Sequence, residues 1–177
     1  MLKNERVRLR AVEPEDLDLM YLIENDDSLW AYGSTTVPYS RYSLKQFIAE
    51  SRNDIFQDGQ LRLVVERVGD GEVLGFIDLQ GLEVRHRRAE VGIVLLPGYQ
   101  RKGFATDALV LLRIYAVQHL GLRQLIAIIG KRNEPAYRLF RRCGFTPVAE
   151  LPHWLANGRG YEDAELMIWE DSNTDSA

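Results

Sequence analysis

The feature that most restricts the fold of this chain is a strand, a glycine-containing turn, a long helix and a second strand in direct succession. Residues 89–96 have the pattern of a strand that ends at Pro97-Gly98, and residues 106–120 have the apolar spacing of a helix with Gly121 after its end. Residues 125–129 are nearly all apolar, which is typical of a strand buried on both faces. A strand of that kind needs helices above and below its sheet, so the segment predicts an α/β domain.

The remaining segments extend this pattern to both ends of the chain. Alternation predicts strands at residues 6–10, 61–66, 73–79, 145–150 and 163–169. Helical spacing predicts a helix that opens at residues 13–16, a second at 43–51 with Ser43 as its cap, and a third at 133–142. We therefore expect a mixed sheet with helices on its faces. It would form one domain over residues 1–170, with a flexible tail at 171–177.

Composition excludes several classes of function. A formal net charge of -4 over 177 residues argues against a nucleic-acid-binding protein, which would normally be basic. Cys143 is the single cysteine, so no internal disulfide can form and no second thiol is present for a zinc site. No apolar run approaches the roughly 18 residues that a membrane helix needs. We expect a protein of the reducing cytoplasm with no metal and no membrane partner.

The turn between residues 95 and 106 is the segment that predicts chemistry. Backbone N–H groups in such a turn and in the first helical turn have no internal partners, and with the helix dipole they make a site for a phosphate or diphosphate. Gly103 would let the backbone approach the ligand closely, and Arg101 and Lys102 add positive charge. An ordinary surface loop with a solvated Arg-Lys pair is the alternative. A nucleotide P-loop is excluded, because Phe104-Ala105 stands where it needs Lys and Ser or Thr.

Two segments resemble one family. Gln100-Arg101-Lys102-Gly103-Phe104-Ala105 is similar to the Gln/Arg-x-x-Gly-x-Gly/Ala loop of the GNAT acetyltransferases. Residues 133–145 resemble that family's Asn-x-x-Ala-x-x-x-Tyr-x-x-x-Gly-Phe helix. The order of strands agrees across nearly the whole chain. The resemblance implies the GNAT fold, an α/β (α+β) architecture. Its mixed, mostly antiparallel sheet has six to seven strands and a splayed parallel pair, with helices on both faces.

The resemblance also implies the cosubstrate, acetyl-CoA, and the residues that bind it. The diphosphate would lie on Gln100, Arg101, Lys102, Gly103, Phe104, Ala105 and Thr106. The pantetheine would follow Ile93, Val94 and Leu95 and then lie against Asn133, Ala136 and Phe140. The thioester would sit in a gap between the two parallel strands, where a backbone N–H near Val94 or Leu95 would hold the developing oxyanion.

The catalytic assignments follow from the same resemblance. Glu90 would accept the proton of the attacking amine, with an ion pair to Arg87 or Arg88 as the alternative. Phe140 occupies the position at which the family usually has a general-acid Tyr, and phenylalanine cannot donate a proton. Tyr137, one turn earlier on the same helix, would either substitute for it or serve packing. We expect Cys143 to be a buried, inert thiol.

We expect the acceptor to be a primary amine, and a polyamine or diamine such as spermidine is favoured over a peptide N-terminus or an aminoglycoside-like amine. Residues 86–90 and 157–161 resemble spermidine N-acetyltransferases, and the N-terminal pattern also resembles enzymes that acetylate ribosomal-protein N-termini. The loop at residues 33–41 has no carboxylate, unlike the spermidine enzymes, although Glu24, Asp26 and Asp27 precede it. Trp30, Tyr32 and Tyr39 would line an acceptor pocket or complete the core. A non-catalytic acyl-CoA-binding module remains the alternative, and we expect a homo-oligomer, a dimer or larger.

Overall fold

The computed structural model describes residues 2–30, 37–52, 54–156 and 160–171. Within these residues there are seven strands: β1 (Val7–Ala11), β2 (Leu61–Arg67), β3 (Val73–Glu83), β4 (Arg88–Leu95), β5 (Gln124–Gly130), β6 (Thr146–Ala156) and β7 (Tyr161–Glu170). They form one sheet in the spatial order β1, β2, β3, β4, β5, β7, β6. Only β4 and β5 pair in parallel, and the other neighbours are antiparallel. The predicted mixed, mostly antiparallel sheet is confirmed.

Helices cover both faces of this sheet. They are α1 (Leu17–Glu24), α2 (Asp27–Trp30), α3 (Arg41–Glu50), α4 (Ile55–Asp58), α5 (Phe104–Gln118) and α6 (Glu134–Arg142), with short 3-10 turns at Pro14–Asp16 and Pro97–Tyr99. Neighbouring residues of β2 show the two layers. Leu63 packs in one buried cluster with Leu109 of α5, whereas Val64 packs in the other with Met20 of α1 and Leu44 of α3. Because successive side chains of a strand point to opposite faces, the two clusters are two separate layers.

Several boundaries differ from the sequence predictions, and three of them have a clear structural reason. Ser43 is not a cap: α3 begins at Arg41, and the Ser40 hydroxyl accepts the Ser43 N–H at 3.0 Å. The long helix begins at Phe104 rather than at residue 106, because Gly103 with φ +86° already ends the turn. β6 continues to Ala156 because it pairs with β7 as a long hairpin at the edge of the sheet. Of the predicted tail, only residue 171 lies within the described residues.

The parallel pair is short and then separates. Only Arg88, Ala89 and Glu90 of β4 pair with β5, opposite Gln124, Leu125 and Ile126. Beyond these residues β4 remains paired with β3 and β5 remains paired with β7. The two strands therefore diverge in the middle of the sheet, as predicted for the splayed pair, and the gap connects the two helical layers.

Candidate functional site

One cleft of about 1170 Å³ passes through this gap. Its walls are the separated halves of β4 and β5, at residues 91–95 and 127–130. On one side the cleft is bounded by the turn before α5 and by α6, and on the other by α1, α3 and the adjoining parts of β2 and β3 at residues 61–62 and 78–80. A ligand could therefore enter from either helical layer and meet a second ligand at the gap.

The turn before α5 presents unpaired amides to the cleft. Arg101 and Gly103 both have left-handed backbone conformations, with φ of 59° and 86°. No side chain caps α5, and its first internal hydrogen bond runs from the Asp107 N–H to the Gly103 carbonyl at 3.1 Å. The amides of residues 104–106 thus have no internal partner, which is the arrangement that binds anions at a helix N-terminus.

Some of the predicted turn residues line the cleft, and others face away from it. Those that line the cleft are Gln100, Arg101, Gly103, Ala105 and Thr106. Gln100 fastens the turn to β4, because its Nε2 donates to the Leu95 carbonyl at 2.9 Å. Lys102 is exposed on the outer side, where its Nζ donates to the Gly98 carbonyl at 2.7 Å. The side chain of Phe104 is buried in the core, so only its backbone amide is available to a ligand.

Strand β4 also offers amides to the gap. The Leu96 N–H donates to the Leu74 carbonyl of β3 at 2.9 Å, and Val94 pairs with Phe76. Because successive peptide groups of a strand point to opposite sides, the N–H groups of Ile93 and Leu95 point away from β3, into the gap.

Helix α6 forms the wall opposite β4. Asn133 caps it by accepting the Ala136 N–H at 3.2 Å, and both residues line the cleft together with Phe140. The Phe140 ring packs edge-on against Phe145, with ring centroids 4.9 Å apart. Tyr137 packs against the core and is not among the residues that line the cleft, which favours the packing alternative for it.

Glu90 lies at the fork where the strands separate and faces the cleft. Burial raises the pKa of its carboxyl above the usual value, and a hydrogen bond with the Gln80 side chain opposes part of that rise. The ion pairs considered as the alternative are absent among the described residues. Arg88 pairs with Glu83 at 2.7 Å, and the Arg87 Nε donates to a main-chain carbonyl. Glu90 is thus a half-buried carboxyl at the centre of the cleft.

The other half of the cleft contains an ion cluster, of which the sequence pointed only to Glu24. Arg62 of β2 binds Asp78 of β3 through two hydrogen bonds of 2.8 and 3.0 Å, and it also pairs with Glu24 at the end of α1. Two carboxylates on one guanidinium leave one net negative charge. Trp30 and Tyr39 line the same half, whereas predicted Tyr32 lies outside the described residues.

Comparison with known proteins identifies the family. The model of the Acetyltransferase (GNAT) domain matches residues 6–146. This chain belongs to the GNAT acetyltransferases. It is 35% identical over 165 residues to a spermidine N(1)-acetyltransferase of Escherichia coli K12, and this match covers 93% of this chain and 86% of that protein.

Solved structures show the same GNAT fold. A spermidine N-acetyltransferase from Vibrio cholerae in complex with CoA and spermine superposes with a TM-score of 0.84 at 26% identity, covering 96% of this chain and 98% of that one. A dodecameric structure of spermidine N-acetyltransferase from Vibrio cholerae has a TM-score of 0.78 at 26% identity, covering 94% and 95%.

Three further observations concern the cysteine, metal-ligating side chains and apolar helices. Cys143 is buried, and burial is the main reason that the pKa of its thiol is raised, which disfavours the reactive thiolate. No group of three or more potential metal ligands occurs in the described ranges. Among those same residues, no helix is long and apolar enough to cross a membrane.

Proposed function

We propose that this protein transfers the acetyl group of acetyl-CoA to a primary amine, with a polyamine or diamine as the acceptor. The observation that carries the proposal is the continuity of the cleft. A turn suited to a diphosphate and a net negative pocket suited to a cation open into one gap, and Glu90 stands at its fork. The E. coli and V. cholerae relatives named as spermidine acetyltransferases support the polyamine class.

The residues present fit CoA along the first half of the cleft. The amides of residues 103–106 would hold the diphosphate, and Arg101 would add charge at the rim. Leu95 would pair with a pantetheine amide beside the turn, while Asn133, Ala136 and Phe140 would form the opposite wall. When bound, the coenzyme supplies the thioester that the amine attacks.

Ile93 and Glu90 would carry the two tasks that this chemistry requires. The Ile93 N–H points into the gap and lies closer to Glu90 along β4 than the Leu95 N–H expected from the resemblance, so it would donate to the negative charge that develops on the thioester oxygen. Glu90 would remove the proton of the amine, directly or through water. For a lysine-like amine, that deprotonation costs about 4 to 5 kcal/mol at pH 7. The raised pKa of Glu90 suits this role, since a base works best when its pKa lies near the working pH.

The departing thiolate would leave without a tyrosine. Phe140 cannot donate a proton, and we assign no proton to Tyr137 because it packs outside the cleft. A thiol pKa of about 8.5 makes thiolate a fair leaving group, so water would protonate it after departure.

The acceptor would lie among Glu24, Asp78 and the aromatic side chains of Trp30 and Tyr39. Arg62 cancels one of the two carboxylate charges, and the remaining negative charge would attract an ammonium group at a distance from the reacting amine. We propose that residues 1–170 act as one domain, within a cytoplasmic homo-oligomer like the dodecameric V. cholerae structure.

Release of free thiol from acetyl-CoA tests the proposal. Spermidine, spermine and a diamine should each release thiol faster than a monoamine of equal length, a peptide N-terminus or an aminoglycoside. Faster reaction with the peptide would favour N-terminal acetylation instead.

Phe140 supports one further candidate, a non-catalytic acyl-CoA-binding module. In that case calorimetry would record heat on binding of acetyl-CoA, and no amine would release thiol. Absence of both heat and thiol release would refute the transferase and the binding module together.

A further inference from the structure

A single arginine outside the cleft holds the turn before α5. Arg6 lies immediately before β1, and its Nη2 donates to the Lys102 carbonyl at 2.6 Å. Its Nη1 is 2.9 Å from Oδ2 of Asp107, and its guanidinium carbon is 4.8 Å from the ring centroid of Phe104. One side chain near the N-terminus thus contacts three residues of the turn and of the first turn of α5.

The contact with Lys102 determines where an amide points. In a trans peptide the C=O and the following N–H point in opposite directions, and the described chain has no cis peptide bond. With the Lys102 carbonyl drawn outward to Arg6, the Gly103 N–H points to the opposite side. Gly103 lines the cleft, so this is an amide available to the diphosphate.

The contact with Asp107 removes an unfavourable charge. A carboxylate in the first turn of α5 stabilises the helix dipole but repels a diphosphate bound at the same helix end. Asp107 Oδ2 is buried and makes no hydrogen bond, so Arg6 balances its charge as an ion-pair partner.

We infer that Arg6 is a positioning residue for the coenzyme diphosphate: it orients the Lys102–Gly103 peptide and neutralises Asp107. This inference rests on the proposed function, since it assumes that the turn binds the diphosphate of CoA. It predicts a dependence on the diphosphate alone, because Arg6 lies outside the cleft and touches neither the pantetheine wall nor Glu90.

Two acetyl donors separate this role from a general role in folding. Acetyl-pantetheine carries the thioester and lacks the diphosphate. In the Arg6→Ala variant we expect KM for acetyl-CoA, and Kd for CoA by calorimetry, to rise about tenfold while kcat is unchanged. KM for acetyl-pantetheine should not change. Arg6→Lys should lie between the wild type and Arg6→Ala, since ammonium retains the charge and loses the planar fork.

A second substitution tests the role of the Asp107 charge. Adding Asp107→Asn to Arg6→Ala should restore part of the CoA affinity, because the repelling carboxylate is gone. The matched control is Arg123→Ala: Arg123 is 47% exposed against 48% for Arg6, and it pairs with Glu170 at 3.3 Å. It should leave both donors unaffected.

Equal loss with both donors, or unchanged CoA affinity in a folded Arg6→Ala variant, would overturn the inference. If Arg6→Ala does not fold, the same comparison of donors in Arg6→Lys decides. A wild-type protein that does not bind CoA at all would refute the proposed function, and this inference with it.

Discussion

Replacement of Gly103 tests the candidate coenzyme turn most directly. Gly103 has φ +86°, a conformation that side chains other than glycine rarely adopt. A Cβ added there would lie 3.0 Å from Nη1 of Arg6, so the guanidinium would have to move by a few tenths of an ångström. Gly103→Ala therefore strains the backbone and disturbs the contact that orients the turn.

The size of the effect follows from the left-handed conformation. A non-glycine residue in this region costs about 1 to 2 kcal/mol. If the free protein relieves this strain by shifting the turn, the turn has to return to the strained conformation when the diphosphate binds. Kd for CoA should then rise about 5- to 30-fold, since 1.4 kcal/mol corresponds to a factor of ten. For Gly103→Val, whose branched side chain fits this region less well, we expect about 100-fold.

Two other glycines provide matched controls. Gly71, in the turn between β2 and β3, has φ +76° and open space around its Cβ position. Gly71→Ala should reduce the free energy of unfolding by up to about 1 to 2 kcal/mol and leave CoA binding unchanged. Gly98 lies beside the same turn, has no positive φ and also has open space, so Gly98→Ala should affect neither quantity.

Calorimetry with CoA and urea unfolding of the three alanine variants and of Gly103→Val give the required measurements. An unchanged Kd in a folded Gly103→Val variant would show that the turn is not the diphosphate site. An equal change of Kd in Gly71→Ala would show that strain acts through global stability and not through the turn.

Three further predictions concern the base, the missing acid and the fold. Glu90→Gln should lower kcat/KM about 100-fold at pH 7, and the deficit should shrink as the pH approaches about 10, where the amine loses its proton unaided; a deficit independent of pH would contradict a role as base. Phe140→Tyr should raise kcat up to about tenfold in the thiol-release assay, because it adds a proton donor beside the departing thiolate; an unchanged kcat would show that thiolate departure does not limit the rate. Burial opposes the ionisation of Asp16, but hydrogen bonds from Arg10 and the backbone outweigh it and lower its folded pKa. Its stabilisation is therefore complete above the unfolded pKa of about 3.9 and is lost as the pH falls toward the lower folded pKa. Asp16→Asn should reduce the urea-unfolding free energy by about 1 to 3 kcal/mol at pH 7 and by progressively less below pH 4, whereas exposed Asp18→Asn should change little at either pH.

The diphosphate end of the coenzyme half could be predicted because its residues are close in the chain. Residues 95–106 supply a strand end, a turn and a helix N-terminus in one continuous segment, so local pattern and local chemistry predict an anion site there, whereas the pantetheine walls at residues 93–95 and 133–140 followed from the resemblance to the GNAT family. The prediction placed the helix start two residues late. Left-handed Gly103 can serve as the N-cap without any side chain, and cap rules based on Ser, Thr, Asp and Asn do not detect it.

The acceptor half could not be predicted in the same way, because its charged residues come from three distant segments. Arg62 and Asp78 meet only because the β2–β3 register places them opposite each other, and Glu24 joins them only because α1 packs over that face. Each residue alone looks like an ordinary polar position of a strand or helix end. Alternation in β2 and β3 would have placed Arg62 and Asp78 on one face if the hairpin register had been assigned first.

Arg6 shows that the coenzyme half also depends on a contact between distant segments, which local pattern does not predict. In sequence it is the first arginine of an alternating strand, and alternation predicts only that its side chain lies on one face of β1. In the structure β1 is the edge strand and α5 packs beside it, which brings Arg6 to a carbonyl 96 positions away. The local motif therefore predicts which amides can bind the diphosphate. Their orientation also depends on the packing of β1 against α5, and hence on the tertiary fold.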